Sequence, residues 1–416
     1  MAVVSTLIPP KISLGMADLP PELMDSIASY LSPSDLISLR STNNYNYHST
    51  TSQFAQQLLG TIKTDLSADS FQKLGAISRD VRYVPHIKAL RFARKSPKNV
   101  GNGISWPRVE PFGQINLSIS AVSSFVGVVQ RLVNCQSFEF HQPQGPMRTH
   151  QNDLVIGDAV YIVLQTLVYL NRPIDSLVIN LQCPRWEDSK VNLRALCQIP
   201  GGFNLFTFTQ TLRKLSFNFE ICCPHLIDNI IEILKWSFKL DILTLVVQNG
   251  RFSAELLRKI IDRGWIFKLK EITLVGPAHM AYWSTPVAAG ALSRFLAWQS
   301  ETLERITLKN IQLEKIEEWE DIVQSFGARY PHLQQIYLSR LSGRNDNETE
   351  RVNFRVSDWK SFLQRGSIRF YRDHGWEKTK LRTGGGIKAN GISYEGPEFG
   401  ALCESIETLY TEDSGW

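Results

Sequence analysis

The sequence predicts a mixed α/β architecture: a short all-α segment, then repeated strand-plus-helix units with parallel strands. Three observations predict it. An apolar frame filled at its first, fourth and sixth places recurs eight times. Amphipathic stretches of period 3.6 separate its occurrences. Ahead of the first occurrence lies a pair of short helical patterns with their own start signals.

The N-terminal pair runs through DLPPELMDSIASYLSPSDLISLRSTNN, from Asp18 to Asn44. Pro21 suits the first turn of a helix in which Leu23, Ile27, Tyr30 and Leu31 recur at helical spacing. Ser32 is placed to cap a second helix, with Pro33 at its first position, Asp35 at its third, and Leu36, Ile37 and Leu39 on its apolar side. A third helix is expected from Tyr47 to Leu59.

This segment resembles the F-box, the module of about 40 residues found in ubiquitin-ligase substrate receptors. The resemblance rests on Leu-Pro-Pro-Glu-Leu, Ile27, Tyr30-Leu31-Ser32-Pro33, Asp35-Leu36 and Leu39-Arg40. The following DLSADSFQKLGAISRDVRYVPHIKALRF is similar to the connector of fungal F-box proteins. Where the family closes with Cys-Arg or a Trp, this chain has Asn43, Asn44, Tyr45 and Asn46. The resemblance implies docking of the S-phase-kinase-associated adaptor, and through it a cullin and its RING subunit, by Leu19, Pro20, Leu23, Ile27, Leu31, Asp35, Leu36 and Leu39. So small a unit cannot bury all its apolar surface alone. Loss of Leu31 or of the Leu19-Pro20 pair is expected to cost on the order of 2 kcal/mol of adaptor binding.

The repeated frame appears in IKALRFA from Ile87, CQSFEFH from Cys135, IDSLVIN from Ile174, LRKLSFN from Leu212, LDILTLV from Leu240, LKEITLV from Leu269, LERITLK from Leu303 and LQQIYLS from Leu333. Its fourth places are Leu90, Phe138, Leu177, Leu215, Leu243, Ile272, Ile306 and Ile336. Helical patterns intervene, through Phe125, Val128, Val129, Leu132 and Val133, through Ile227, Ile230, Ile231 and Leu234, and through Leu257, Ile260 and Ile261. Two more run through Leu292, Phe295 and Leu296 and through Ile316, Trp319, Val323 and Phe326.

Alternating strands and helices imply a parallel sheet, either doubly wound or a solenoid with helices on one face. Polar residues at every second place of LRKLSFN, LERITLK and LQQIYLS leave one face wet, which favours the solenoid. The frame resembles an irregular leucine-rich repeat, with Glu220, Gln248, Pro277, Ile311 and Leu341 where Asn or Cys is usual. The wet, concave positions are the expected hold on a target protein: Arg91, His141, Lys214, Asn218, Glu271, Arg305, Lys309 and Tyr337. The expected organisation is a disordered N-terminus over 1–15, the F-box over 16–58, a helical connector over 59–83, the solenoid over 84–341, and a C-terminal cap with an acidic tail over 342–416.

Arg351 to Lys388 carries ten basic and three acidic residues interleaved with Trp359, Phe362, Phe370, Tyr371 and Trp376, and Glu395 to Asp413 carries six acidic and no basic ones. The first could suit a nucleic-acid groove, yet the second can neutralise it, so a cap on the open end of the repeats is favoured and nucleic acid is not an expected partner. RTGGGIKANG, from Arg382 to Gly391, reads as a hinge between them.

Composition excludes other classes. Among 416 residues, 43% hydrophobic and 20% charged with a net charge of +5, there is neither a disordered composition nor a concentrated basic field. The run from Leu154 to Leu170 is too short and too interrupted to span a bilayer, and the first residues make a poor signal peptide. A soluble protein of the cytoplasm or nucleus is expected, with six reduced cysteines and with the sequons at Asn116 and Asn347 unused. Cys222, Cys223 and His225 are too few for a zinc site, and His141 and His150 lack a second ligand pair. GNG at 101–103 and GGG at 384–386 lack the residues that complete a phosphate loop, and no nucleophile, zincin or kinase signature appears. With no catalytic signature to weigh against it, the F-box resemblance implies a non-catalytic receptor without cofactor or metal, the substrate-recognition subunit of an SCF-type ligase. The alternative is a repeat scaffold acting outside ubiquitin transfer, and an α/β enzyme of unfamiliar motif is a third reading.

Overall fold

The structure, a computed structural model, describes residues 16–93, 100–109, 114–141, 154–181, 209–219, 224–247, 252–263, 265, 267–276, 286–345, 348–356, 367–371, 387–389, 391–396 and 406–412. The N-terminal residues 1–15, His150, Cys222, Cys223, the GGG at 384–386 and the aromatic residues Trp359, Phe362 and Trp376 lie outside them.

Four short helices come first: α1 (Pro21–Ser29), α2 (Pro33–Arg40), α3 (Asn44–Ser49) and α4 (Thr51–Leu58). Pro21 and Pro33 each open a helix where a missing N–H costs nothing. Ser32 accepts from the Asp35 N–H at 3.3 Å and donates to its carboxylate at 2.6 Å. Met24, Ala28, Leu36 and Ala55 form the sealed centre of the unit.

The single helix expected from Tyr47 to Leu59 is two helices. The break has a local cause. In a continuous helix the Tyr47 carbonyl would take the Thr51 N–H; instead it accepts the Thr51 hydroxyl at 2.8 Å and Arg40 Nη1 at 2.8 Å. Asn43 caps α3 through the Asn46 N–H at 2.8 Å, so the run from Asn43 to Asn46 supplies a helix start.

The remaining elements alternate. In order they are β1 (Thr61–Thr64), α5 (Ala68–Ile77), β2 (Ala89–Ala93), a hairpin of β3 (Arg108–Val109) and β4 (Gln114–Ile115), α6 (Ser120–Arg131), β5 (Ser137–His141), α7 (Ile156–Tyr169), β6 (Ser176–Asn180) and β7 (Lys214–Phe219). Then follow α8 (Pro224–Lys235), β8 (Ile242–Val247), α9 (Ser253–Asp262), β9 (Glu271–Val275), α10 (Ala289–Ala297), β10 (Arg305–Lys309), α11 (Glu318–Arg329) and β11 (Gln335–Ser339).

The C-terminal strands are β12 (Ser342–Asn345), β13 (Glu348–Val356), β14 (Ser367–Tyr371), β15 (Ile387–Ala389), β16 (Gly391–Glu395) and β17 (Ile406–Glu412). The chain is thus mixed α/β, built on an eleven-stranded sheet ordered β1, β2, β5, β6, β7, β8, β9, β10, β11, β16, β14. From β1 to β11 every neighbouring pair is parallel and the order follows the chain, without the reversal that marks a doubly wound sheet.

One register runs through the sheet. Leu90, Phe138, Leu177, Leu215, Leu243, Ile272, Ile306 and Ile336 pair side by side as a single buried row. The sixth places, from Phe92 to Leu338, make a second row, and the Phe92 and Phe140 rings stack with centroids 4.8 Å apart. Each such Leu, Ile or Phe removed from water contributes about 1.5–3 kcal/mol, so the repeated frame is where the driving force for this fold is concentrated. The helices supply the rest of the core through Phe125, Val129, Ile227, Ile231, Ile260, Phe295, Trp319 and Phe326. Val133, expected on the buried side of α6, lies past the helix end and is exposed, because Arg172 caps that end through the Val129 and Leu132 carbonyls. α7 is buried along its whole length apart from Gln165 up to Leu167, and Arg108 of the hairpin locks its start by pairing with Asp158 at 2.8 Å.

Three stretches differ from expectation. The sheet begins inside the expected helical connector, because LGTIKT carries the frame as Leu59, Ile62 and Thr64; the polar sixth place hides it, and Thr64 is satisfied in the core by Ser70 at 2.9 Å. The expected hinge is strand where it is described, as β15 and the first residue of β16. The acidic tail is strand as well over β17, which lies antiparallel to β13 with Glu407 opposite Arg355. At the far end β16 adds antiparallel to β11, and β14 adds to β16, so the last parallel strand is paired rather than left as an edge.

Candidate functional site

Two surfaces carry the residues singled out by the sequence. On the N-terminal helices, α1 and α2 are short, and their own core takes up only Met24, Ala28 and Leu36. Four other large apolar side chains face water: Leu23 is 53% exposed, Ile27 38%, Tyr30 88% and Ile37 49%. Such a concentration on two short helices is a surface that association with another protein would cover. Pro20 and Asp35 are exposed beside it, while Leu19, Leu31 and Leu39 are half-buried. Leu36, expected on the docking surface, is at 0% exposure a residue of the unit's own centre. Asp35 is engaged by the cap of α2, its carboxylate accepting the Ser32 hydroxyl. The Leu19 carbonyl accepts the Tyr45 hydroxyl, which ties the Leu-Pro-Pro turn to α3.

The helices are joined to the following chain by packing. Arg40 is buried, with its guanidinium 4.2 Å from the Tyr47 ring centroid and 4.1 Å from that of Phe54. Phe54 meets Tyr83 at 6.5 Å, and the Tyr47 and Tyr83 hydroxyls lie 3.2 Å apart. That hydrogen bond from Tyr83, assisted by the positive charges of Arg40 and Arg82, holds the Tyr47 phenol below its ordinary pKa.

The second surface is the wet face of the sheet. Strand periodicity puts Arg91, His141, Lys214, Asn218, Glu271, Arg305, Lys309 and Tyr337 on one side, and the common register makes them a grid. Several of them engage one another. Glu139 accepts from Arg91 Nε at 2.5 Å and lies 3.3 Å from His141 Nε2. Partial burial works against the Glu139 charge, yet the hydrogen bond and charge of Arg91, with His141, hold its pKa below the ordinary carboxylate value. Arg305 pairs with Glu271 on the next strand. Asn218 is buried and donates to Asn180 Oδ1 at 3.0 Å, a structural bond between β6 and β7. Lys214 is exposed and Lys309 half-buried, and neither side chain has a hydrogen-bond or ion-pair partner among the described residues. Tyr337 sits in the row of Thr273 and Thr307.

Sequence reasoning missed the larger apolar members of this face. Val178, Ile242, Val246 and Val275 occupy grid positions equivalent to the polar ones and are half-buried. The signal was present in the frame itself, since they fall at its third, fifth and seventh places, but apolar residues there are easily counted as core.

No group of His, Cys, Asp or Glu among the described residues is arranged to hold a metal ion. No helix among them is long and apolar enough to cross a membrane. Compared with known proteins, the chain matches no family model, and no curated protein matches it.

Proposed function

We propose that this chain is the substrate-recognition subunit of an SCF-type cullin-RING ubiquitin ligase. In this reading residues 16–58 are an F-box, the strand-helix units form a leucine-rich-repeat-like solenoid, and the helices dock the S-phase-kinase-associated adaptor while the sheet face holds a target protein. The observation that carries it is the exposure of Leu23, Ile27, Tyr30 and Ile37 on helices that already possess a sealed centre. The motif residues Leu19-Pro20 and Asp35 sit beside that surface, which suits a helix-in-groove contact. The sheet order and the single buried face support the solenoid part.

The receptor performs no bond chemistry. Its contribution is proximity: a target held on the sheet face has its lysines at high effective concentration near the charged conjugating enzyme. It works in the cytoplasm or nucleus, where that machinery is found.

Mixing the full-length chain with purified adaptor and measuring association by light scattering tests this directly. A one-to-one complex is expected, lost in Leu23→Asp and Ile27→Asp variants whose thermal unfolding is unchanged. A folded chain that leaves the adaptor unbound overturns the ligase reading and favours the repeat scaffold acting outside ubiquitin transfer.

A further inference from the structure

We infer that the sheet face between β6 and β10 binds an extended acidic segment with apolar side chains between its carboxylates. This rests on the reading of that face as the target-holding surface, and it is independent of adaptor docking.

The centre of the face is neutral and partly apolar. Val178, Ile242, Val246 and Val275 lie there, interleaved with the hydroxyls of Ser216, Thr244, Thr273 and Thr307. Half-buried apolar side chains among hydroxyls favour contact with a partner's apolar side chains while leaving hydrogen-bonding capacity for its backbone. On either side of this centre the charged residues divide into two kinds. Arg91, Glu139 and His141 engage each other, as do Glu271 and Arg305, and so present little net field. Lys214 and Lys309 do not: they are cations with no hydrogen-bond or ion-pair partner among the described residues. Lys63, on β1 beside Arg91, adds a third positive charge farther along, and Glu395 on β16 is an acidic group at the opposite end, beyond Gln335. The face between β6 and β10 therefore carries two positive charges, unpaired among the described residues and flanking a neutral centre, which a partner's carboxylates would complement.

The register fixes the geometry of those carboxylates. Lys214 shares a row with Ile242, Glu271 and Arg305, so it is three strands from β10, and Lys309 lies four residues along β10 from Arg305. With strands ~4.8 Å apart and ~3.3 Å per residue, the two lysines are separated diagonally by roughly 20 Å, the span of about six extended residues. The segment favoured has acidic residues at that separation and apolar residues between.

Panning a random dodecapeptide phage library on the full-length chain tests this. Selected peptides should be enriched in Asp or Glu at two positions about six residues apart, with Val, Ile or Leu between. A synthetic copy of a selected peptide should lose on the order of tenfold in affinity, by fluorescence anisotropy, for Lys214→Glu and for Lys309→Glu, and more for Ile242→Asp. Unfolding midpoints of the variants, recorded alongside, confirm that the two lysine variants remain folded. Selected peptides that are neutral or basic, selection unchanged by both charge reversals, or no enrichment at all overturns the inference. The Leu23→Asp variant, panned in parallel, separates the two ideas: loss of adaptor binding with peptide selection intact leaves this inference standing on its own.

Discussion

Arg40 lies with its guanidinium carbon 4.1 Å from the ring centroid of Phe54, inside the N-terminal helices and with no carboxylate partner among the described residues. Its charge is met instead by two aromatic faces and by the Tyr47 carbonyl and the Thr50 and Thr51 hydroxyls. A planar cation fits that slot and a rounded one does not. Arg40→Ala should therefore cost on the order of 3 kcal/mol in urea unfolding, and Arg40→Lys should recover less than half of it. A lysine variant as stable as the parent would show that the stack contributes little.

Leu23 and Leu36 have the same side chain and opposite environments. Leu36→Ala should cost about 2–5 kcal/mol, since it empties a sealed centre. Leu23→Ala should change stability by no more than about 0.5 kcal/mol. Equal losses in denaturant titrations would mean that the exposed surface on α1 is already covered by the chain itself.

Gly276 follows β9, where a Cβ would run into the carbonyl oxygen of Asn310, and Asn310 holds a left-handed φ of 52° after β10. Backbone flanks the missing atom, so neither neighbour can swing away. Gly276→Ala should lower stability by about 3 kcal/mol, measured as a drop in unfolding midpoint at constant slope against denaturant. A midpoint within error of the parent contradicts this packing.

Cys135 occupies the first place of the frame before β5 and is buried, and burial pushes its thiol from the ordinary 9.0 up to about 12, against a smaller opposing effect of Arg172. The folded chain keeps this proton where an unfolded chain loses it. Its contribution to stability is therefore complete below pH 9 and declines as pH rises through the window from 9 to about 12. At pH 8 the Cys135 thiol should resist iodoacetamide in the native chain and react on unfolding, read by peptide mass spectrometry. Modification of the native chain at the rate of a free thiol would refute it.

Much of the sheet was legible because its frame repeats. Eight fourth-place residues from Leu90 to Ile336 pair as neighbours in one row, and a period of two leaves only one face for each side chain. The strands that escaped notice broke the rule in identifiable ways: β1 has Thr64 where an apolar residue was expected, and β16 runs antiparallel, so Tyr394 and Ile392 meet Ile336 and Leu338 in reversed order. On the candidate surfaces, residue types were readable but engagement was not. Arg91, Arg305 and Asn218 look alike in the sequence to Lys214 and Lys309, yet the first three are committed to Glu139, Glu271 and Asn180.

The sequence by itself determined the order of the eight framed strands, the side of each that is dry, and the start of the second N-terminal helix at Ser32, because periodicity and capping act within a few residues of each other along the chain. Only the tertiary structure decided that Leu36 faces inward while Leu23 faces water, that Tyr47 to Leu59 breaks at Thr50, and that the acidic C-terminal stretch becomes β17 against β13. Those outcomes depend on groups distant in sequence arriving at the same place, where Arg40 competes for a helix carbonyl and a free strand edge recruits whatever chain can complete its hydrogen bonds.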